Sequence, residues 1–289
     1  MQEPASRGLA AVIARSGSVP TAAVLTGVYL YGQLQRKRTD VLSLDPHDAG
    51  LNGPTTWPRR YRSWIVSTRL ARHQMRFRMR DGSRVRCRIL DSGGLLSVHV
   101  DRDYDIAGLD WSKTRTIVDV GAHVGSFTVW ASRRSPEARL LSVEPNPETF
   151  ELLLQNIHDN GLEDRVTAVN AAVGATTGTA ALELMEHSLG TRLARGGDGQ
   201  VTVKVHELDH LLGEAGIDEV DMLKMDCEGL EYDVFSSMNP HRLKRIHAIA
   251  CEYHPEPGRN VSELDSILRS AAFRVQRPDA PLGVIWATR

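Results

Sequence analysis

The chain has 289 residues, of which 41% are hydrophobic and 25% are charged, and its formal net charge is −1. These values are ordinary for a globular protein, and the near-zero charge argues against nucleic acid as a partner. The three cysteines, Cys87, Cys227 and Cys251, have no close spacing. Their number and spacing argue against a disulfide framework or a zinc cluster, and they predict a reducing, cytoplasmic location.

Residues 1–60 predict an N-terminal extension that consists of a helix and a turn-rich linker. The helix is expected from Thr21 to about Arg36, and the linker at Asp45–Pro54. The apolar run Val19–Leu34 is too short to cross a bilayer. The basic residues Arg36–Arg38 leave open a helix on a membrane surface, but a helix packed on the main domain is the favoured interpretation. The sequence therefore predicts no stable membrane insertion.

Residues 61–110 predict a β-hairpin that caps the substrate side of the main domain. Apolar side chains alternate with arginines over Met75–Arg80 and Arg84–Ile89, on either side of Asp81–Ser83. Period-two alternation around an Asp-Gly turn predicts two antiparallel strands, one face of which is buried. The arginine face is either a solvated surface, which is the favoured interpretation, or a site for an acidic substrate.

Residues 111–289 predict an α/β domain, because strands and helices alternate along this part of the chain. Such a domain is a mostly parallel sheet with helices on both faces. Asn146 is the predicted cap of a helix with Pro147 in its first turn. Two strands, Thr179–Met185 and Gln200–His206, are expected to pair with each other. The main strands are predicted at Ile117–Val120, Arg139–Val143, Arg165–Asn170, Val220–Met225 and Ile246–Cys251, with a helix at Ser262–Ala272 and closing strands at Phe273–Gln276 and Gly283–Ala287.

The segment Ile117–Gly125 predicts a buried strand, a glycine turn and the start of a helix, which together form a candidate ligand cradle. Its pattern is Asp-x-Gly-x-x-x-Gly, and His123 stands where a dinucleotide-binding loop has a glycine. The carboxylate of Asp119 suits a cationic ligand better than a phosphate. S-adenosylmethionine carries an ammonium and a sulfonium, so it fits better than NAD. Glu144 is placed to bind the ribose hydroxyls of either ligand.

Five segments, taken in chain order, resemble the FkbM family of S-adenosylmethionine-dependent methyltransferases: Val118–Gly125, Val143–Pro147, His206–Leu212, Lys224–Glu231 and Cys251–His254. The resemblance covers the chain from about Asp91 to its last residue, and Cys227 stands where the family more often has an aliphatic residue. It implies a Rossmann-like class I methyltransferase fold. It also implies, in the common case, O-methylation of sugars, glycolipids or polyketides.

The candidate site residues all lie at or just beyond predicted strand ends, which meet at one edge of a parallel sheet. The candidate cofactor-binding residues are Asp119, Gly121, Ala122, His123, Gly125, Glu144, Pro145, Asn146, Asn170, Ala171 and Asp226. The candidate catalytic residues are Asp226, Glu228, Glu252 and His254. An alcohol nucleophile benefits from a general base or from a metal that lowers its pKa.

Two ways of activating the acceptor are open at this stage. His254 has the unperturbed pKa best suited to a base, whereas Asp226 and Glu228, together with Glu252 or His254, form a candidate Mg²⁺ site. Asp226 could instead only contact the cofactor or cap the next helix, and Glu228 and Glu231 could be first-turn residues favoured by the helix dipole. The candidate base His254 could likewise satisfy only the turn beside Pro255.

The expected function is O-methylation of a hydroxyl on a small molecule by a cytoplasmic enzyme that uses S-adenosylmethionine. The hairpin and the N-terminal helix are expected near the strand carboxyl ends, where they would help to form the acceptor pocket. The alternatives are an NAD-dependent oxidoreductase and a non-catalytic module that keeps the cofactor fold for binding. The sequence fixes neither the acceptor nor the oligomeric state, and a homo-oligomer remains open.

Overall fold

A computed structural model describes residues 15–19, 21–24, 27, 72–183, 192–193, 201–280 and 282–289. The chain divides into two compact units, Met1–Asp103 and Tyr104–Arg289. Residues 21–24 and 27 are helical, and the rest of the predicted N-terminal helix and its linker lie outside the described residues. No helix in these ranges is long and apolar enough to cross a membrane. The domain boundaries at residues 60 and 110 stay predictions.

The first unit contains the predicted hairpin. Strand β1 (Gln74–Arg78) pairs with β2 (Arg84–Arg88) in antiparallel register, with Phe77 opposite Val85. Phe77 and Val85 are fully buried, whereas the arginines of both strands are exposed or half-buried. Alternation thus separates an apolar face from a basic one. A helical segment that was not predicted follows at Gly93–Leu95 and continues as a π-helix over Leu96–Asp101.

The second unit is built on a seven-stranded sheet with the order β12-β13-β11-β10-β3-β4-β5. Neighbouring strands from β11 to β5 are parallel, and β13 is antiparallel to both of its neighbours. The strands are β3 (Thr116–Val120), β4 (Arg139–Val143), β5 (Val166–Val169), β10 (Val220–Met225), β11 (Ile246–Tyr253), β12 (Arg274–Gln276) and β13 (Gly283–Thr288).

The order of this sheet places a crevice beyond the carboxyl ends of β3 and β10. From β3 the chain moves outward through β4 and β5, and it then returns to the other side of β3 with β10 and β11. Strand order therefore reverses between β3 and β10, which is where α/β proteins bind their ligands. Most residues of β3 and β10 are buried apolar side chains, as expected for a sheet covered on both faces, and Asp119 and Lys224 are buried charged exceptions.

Helices connect these strands, and their ends follow local sequence signals. They are α1 (Ser126–Arg134), α2 (Pro147–Asp159), α3 (Leu208–Glu214), α4 (Glu231–Ser237), α5 (Pro240–Leu243) and α6 (Val261–Ser270). Asn146 caps α2 as predicted, because its side chain accepts the N–H of Glu148 at 3.0 Å. Asn260 and Glu263 form a reciprocal capping box at the start of α6.

The part of the chain between β5 and α3 forms a second sheet of four strands. Its strands β6 (Ala172–Val173), β7 (Gly178–Glu183), β8 (Arg192–Leu193) and β9 (Val201–His206) have the order β6-β9-β7-β8. Strands β7 and β9 are antiparallel, which confirms the predicted pair. Ala172, Leu182, Val203 and Val205 form its small apolar core.

The predicted strand ends differ from the observed ones in one place that matters for the site. Strand β11 extends to Tyr253, two residues beyond the predicted end at Cys251. The extension forms because β13 pairs with β11 as far as Tyr253 opposite Gly283. Glu252 therefore belongs to a paired strand, and only His254 follows the strand end.

Candidate active site

The glycine loop between β3 and α1 has the shape of a tight backbone cradle. Gly121 has φ +70°, His123 has φ +53° and Gly125 has φ +82°. A Cβ atom on Gly121 would lie 1.8 Å from the carbonyl oxygen of Asp226, and one on Gly125 would lie 2.6 Å from a methyl group of Leu153. Both positions therefore require glycine. The loops after β3 and β10 are in direct backbone contact.

Asp119 lies beneath this loop and is fully buried. Its carboxylate accepts a hydrogen bond from the Thr128 hydroxyl at 2.6 Å and lies 3.3 Å from the ammonium of Lys224. Lys224 donates hydrogen bonds to the carbonyls of Gly121, at 2.5 Å, and Val120, at 3.2 Å. Burial alone would lower the pKa of Lys224, but the carboxylates of Asp119 and Asp226 outweigh it and raise that pKa.

Glu144, at the end of β4, is tied to the same loop. Its Oε2 accepts the backbone N–H of His123 at 2.7 Å. Its Oε1 accepts the backbone N–H of Asn146 at 2.9 Å and the hydroxyl of Thr149 at 2.8 Å. Burial raises the pKa of Glu144, although these three bonds oppose the shift. Each carboxylate oxygen can accept two hydrogens, so Oε2 keeps capacity for one more donor.

The remaining cofactor candidates lie at the same edge of the sheet, where the carboxyl ends of its parallel strands meet. The side-chain amide of Asn170 donates to the carbonyls of Glu144, at 2.8 Å, and Pro145, at 3.1 Å. Ala122 and Ala171 are buried at the ends of β3 and β5. The hydrogen bonds from His123 and Asn170 therefore join the three segments that follow β3, β4 and β5.

The catalytic candidates form a second cluster, beyond β10 and β11. The Nε2 atom of His254 lies 3.4 Å from Glu228 Oε2 and 4.0 Å from oxygens of both Asp226 and Glu252. Its Nδ1 atom lies 2.6 Å from Oε1 of Glu231, a fully buried residue in the first turn of α4. Glu231 thus fixes the orientation of the imidazole, and Nε2 faces three carboxylates.

Because these carboxylates and the imidazole lie so close together, they change one another's pKa values. Burial raises the pKa of Glu228 to about 8 and that of Glu252 to about 7, and neighbouring carboxylates add to both shifts. Burial would lower the pKa of His254, but the carboxylates of Glu231, Glu228 and Asp226 raise it well above 6.5. The surrounding carboxylates therefore favour the protonated form of the imidazole.

Three of these side chains have the spacing of a single metal site. Donor atoms of Asp226, Glu228 and His254 all lie within 4.8 Å of one another. The Oδ1 atom of Asp226 is buried and accepts no hydrogen bond from any residue in the described ranges. An orphaned carboxylate oxygen beside an imidazole fits a divalent cation. The third member of this set is His254, one of the two third ligands that the sequence left open, and Glu252 lies outside the set.

Three residues that touch these clusters were missed at the sequence level: Tyr104, Lys224 and Glu231. The hydroxyl of Tyr104 lies 2.7 Å from Glu252 and 3.3 Å from Asp226. Lys224 carried a usable signal, since a lysine inside a strand that is otherwise buried needs a buried partner. Glu231 was interpreted only as a first-turn residue, and nothing in the spacing of Tyr104 connects it to the strand ends.

The glycine loop and both clusters lie within one known domain type. Residues 119–275, more than half of the chain, match the sequence model of the methyltransferase FkbM domain. The chain belongs to the FkbM methyltransferase family. Family membership confirms the predicted Rossmann-like class I methyltransferase fold and the use of S-adenosylmethionine. This family member is a methyltransferase, and the alternative of an NAD-dependent oxidoreductase is not retained.

Relatives of this FkbM family member include methyltransferases with different acceptors. Methyltransferase sdnD of Sordaria araneosa is 25% identical over 215 residues, covering 63% of this chain and 82% of the relative. The 31-O-demethyl-FK506 methyltransferase FkbM of Streptomyces tacrolimicus is 24% identical, covering 64% and 82%. The hexuronic acid methyltransferase AglP of Haloferax volcanii is 24% identical over 136 residues, covering 47% and 54%.

Proposed function

We propose that this enzyme methylates a hydroxyl group of a small molecule, such as a sugar, a glycolipid or a polyketide-like natural product. The observation that carries the proposal is the His254–Glu231 pair, which points Nε2 into a cluster of carboxylates beside the glycine loop. An oriented imidazole is the usual device for removing a proton from an alcohol. The names of the FK506 and hexuronic acid relatives support an oxygen-rich acceptor.

The residues around the glycine loop fit the methyl donor. S-adenosylmethionine would supply an electrophilic methyl group on a sulfonium. The close backbone approach at Gly121 and Gly125 gives the loop its cradle, and Glu144 Oε2 has room for a ribose hydroxyl. Asp119 is enclosed by Thr128 and Lys224, so we propose that it supports the loop from below and does not touch the donor.

On the acceptor side, His254 is the proposed general base. Because Nδ1 contacts Glu231, the other nitrogen, Nε2, is the atom that would accept the proton of the acceptor hydroxyl. Because its pKa is raised well above 6.5, His254 must lose a proton before it can accept one. Glu228 lies 3.4 Å from Nε2 and has a pKa of about 8, so it can receive that proton only once it has lost its own. Activity should therefore increase as pH rises above neutral.

A divalent cation is the second way in which the acceptor could be activated. Asp226, Glu228 and His254 would hold it, and the ion would lower the pKa of a bound alcohol. Oxygen donors suit Mg²⁺, and the imidazole also admits Mn²⁺. The orphaned Oδ1 atom of Asp226 is the observation that favours this candidate.

The experiment is a screen of sugars, glycolipids and polyketides with S-adenosylmethionine labelled in its methyl group, run with and without EDTA. The proposal expects methyl ethers as products. Products methylated only at nitrogen or carbon would contradict it. Turnover that EDTA abolishes and Mg²⁺ restores would select the metal mechanism, whereas turnover unaffected by EDTA would select His254 as an unaided base.

A further inference from the structure

Tyr104 lies outside residues 119–275, the segment that defines the family, yet its hydroxyl reaches the acceptor-side cluster. The side chain is 5% exposed. Its oxygen lies 2.7 Å from Oε2 of Glu252 and 3.3 Å from Oδ2 of Asp226. A phenol has a single hydrogen to donate, so the shorter contact identifies Glu252 as the acceptor of the hydrogen bond.

The ring of Tyr104 is held in place by an aromatic cluster behind the glycine loop. Its edge packs against Phe127 in the first turn of α1, with centroids 5.7 Å apart and planes at 74°. Trp111 packs on both Phe127 and Trp130, at 6.4 Å and 4.9 Å. The indole N–H of Trp111 donates to Asp105 at 2.8 Å. The segment that carries Tyr104 is thus anchored to α1, and the hydroxyl is presented from a fixed ring.

The Tyr104 hydroxyl contacts one oxygen of Glu252 and one oxygen of Asp226, and the other oxygen of each carboxylate faces His254. Tyr104 holds Oε2 of Glu252, and the other oxygen, Oε1, faces Nε2 of His254 at 4.0 Å. In Asp226, Oδ2 lies near both Tyr104 and Lys224, and Oδ1 faces Nε2 at 4.0 Å. Without the hydroxyl, Glu252 loses this hydrogen-bond donor and Asp226 keeps only Lys224 beside Oδ2, so both carboxylates can rotate more easily.

We propose that Tyr104 is a positioning residue for acceptor methylation, whose hydroxyl fixes the oxygens of Glu252 and Asp226 that face His254. This inference rests on the proposed function, because those oxygens matter for turnover only if the acceptor reacts beside His254. The hydroxyl contacts acceptor-side carboxylates, whereas the ring packs behind the donor loop. Loss of the hydroxyl alone should therefore change turnover and leave donor binding in place.

The first test is Tyr104→Phe, which keeps the ring and removes the hydroxyl. Tyr253→Phe is a matched control, because the fully buried Tyr253 follows Glu252 directly and its hydroxyl bonds the carbonyl of Ala280 at 2.9 Å, away from His254. We expect kcat to fall about tenfold to hundredfold in Tyr104→Phe. The Kd for S-adenosylhomocysteine should change by less than about twofold in either variant, and kcat in Tyr253→Phe by no more than that.

A double-mutant cycle tests whether Tyr104 acts through Glu252. If Tyr104 acts by holding Glu252, then Tyr104→Phe should cost much less in the Glu252→Ala background, which lacks the acceptor oxygen, than in the wild type. Fully additive losses in kcat would overturn this route. So would a Tyr104→Phe enzyme with wild-type kcat, or one that loses affinity for S-adenosylhomocysteine as strongly as it loses turnover.

Crystal structures of the wild type and Tyr104→Phe test the positioning itself without needing turnover. Displaced or disordered carboxylates at Glu252 and Asp226 in the variant would support the proposal, and unchanged side chains would overturn it. If the wild type methylates no hydroxyl acceptor, the proposed function fails. The two crystal structures still decide whether Tyr104 positions these groups.

Discussion

Lys224 on β10 and Asp119 on β3 face each other across adjacent parallel strands, with the ammonium 3.3 Å from the carboxylate and both side chains buried. The same ammonium donates to the carbonyl of Gly121. One buried cation therefore neutralises the acid that ends β3 and anchors the loop that follows it. The domain joins its glycine loop to its core at this pair.

Replacing Lys224 with Met should destabilise the enzyme by about 3–5 kcal/mol, because Asp119 is left as an uncompensated buried charge. Urea unfolding of the single variant would measure this cost. The double variant Asp119→Asn/Lys224→Met removes both charges and should recover part of the lost stability. A single variant as stable as the wild type would contradict the role assigned to the pair.

Replacing Gly121 with Ala should abolish binding of S-adenosylhomocysteine, because the new methyl group would meet the Asp226 carbonyl at 1.8 Å. Gly216→Ala is the matched control, since Gly216 has a similar φ of +65° but no neighbour within 4 Å of the added atom. The control should lose about 1 kcal/mol from backbone strain alone. Calorimetry would measure binding for both variants. Equal affinities in the two variants would show that the loop can move away from β10.

Replacing His254 with Gln should lower kcat by about 10²–10⁴-fold, as expected for loss of a general base. Affinity for S-adenosylhomocysteine should persist, because the side-chain partners of His254 are the carboxylates of Glu231 and Glu228 and not groups of the glycine loop. The control is His247→Gln, which alters a half-exposed histidine on β11, the strand that precedes His254; its ring lies 3.7 Å from the carboxylate of Glu219. Comparable activity in both variants would remove His254 from the mechanism.

Stability should fall and activity should rise as pH increases. The folded-state pKa values of His254 and Glu228 are raised, so the folded protein holds protons that the unfolded chain releases. Their contribution is complete below the unfolded values of 6.5 and 4.5 and is lost as pH rises through the folded values, about 8 for Glu228. With EDTA present, Tm should therefore fall between pH 6 and pH 9, and Glu228→Gln should flatten the fall.

Titration with Mn²⁺, followed by electron paramagnetic resonance, should detect one bound ion in the wild type. Asp226→Asn should abolish that binding, because Asp226 belongs to the set of three donors. Glu252→Gln should retain it, since Glu252 lies outside this set. A wild type that binds no Mn²⁺ would leave His254 as the sole means of activating the acceptor.

Much of the fold and part of the site could be predicted from the sequence, where the signal is local. Asn146 and Pro147 mark a helix start by their own chemistry, and the alternation around Asp81 marks a hairpin. The gathering of polar residues at the strand ends followed from the geometry of parallel sheets alone. Where the hairpin lies relative to the main domain stays a prediction.

The rest could not be predicted, because it depends on pairing between distant segments. Glu252 was placed after its strand, yet pairing with β13 draws it into β11. Glu231 and Tyr104 gain their importance only when α4 and the segment before β3 fold against the ends of β10 and β11. The spacing of apolar and polar residues along the sequence does not indicate such contacts.

The backbone contact between Gly121 and Asp226 also bears on how this enzyme could acquire new acceptors. The glycine loop, which would hold the methyl donor, and the loop that begins at Asp226 are in direct van der Waals contact. Enlarging one loop would therefore displace the other, so insertions after β10 are a poor route to a changed acceptor range. Substitutions that keep both loops at their present length would leave this contact, and with it the glycine loop, unchanged.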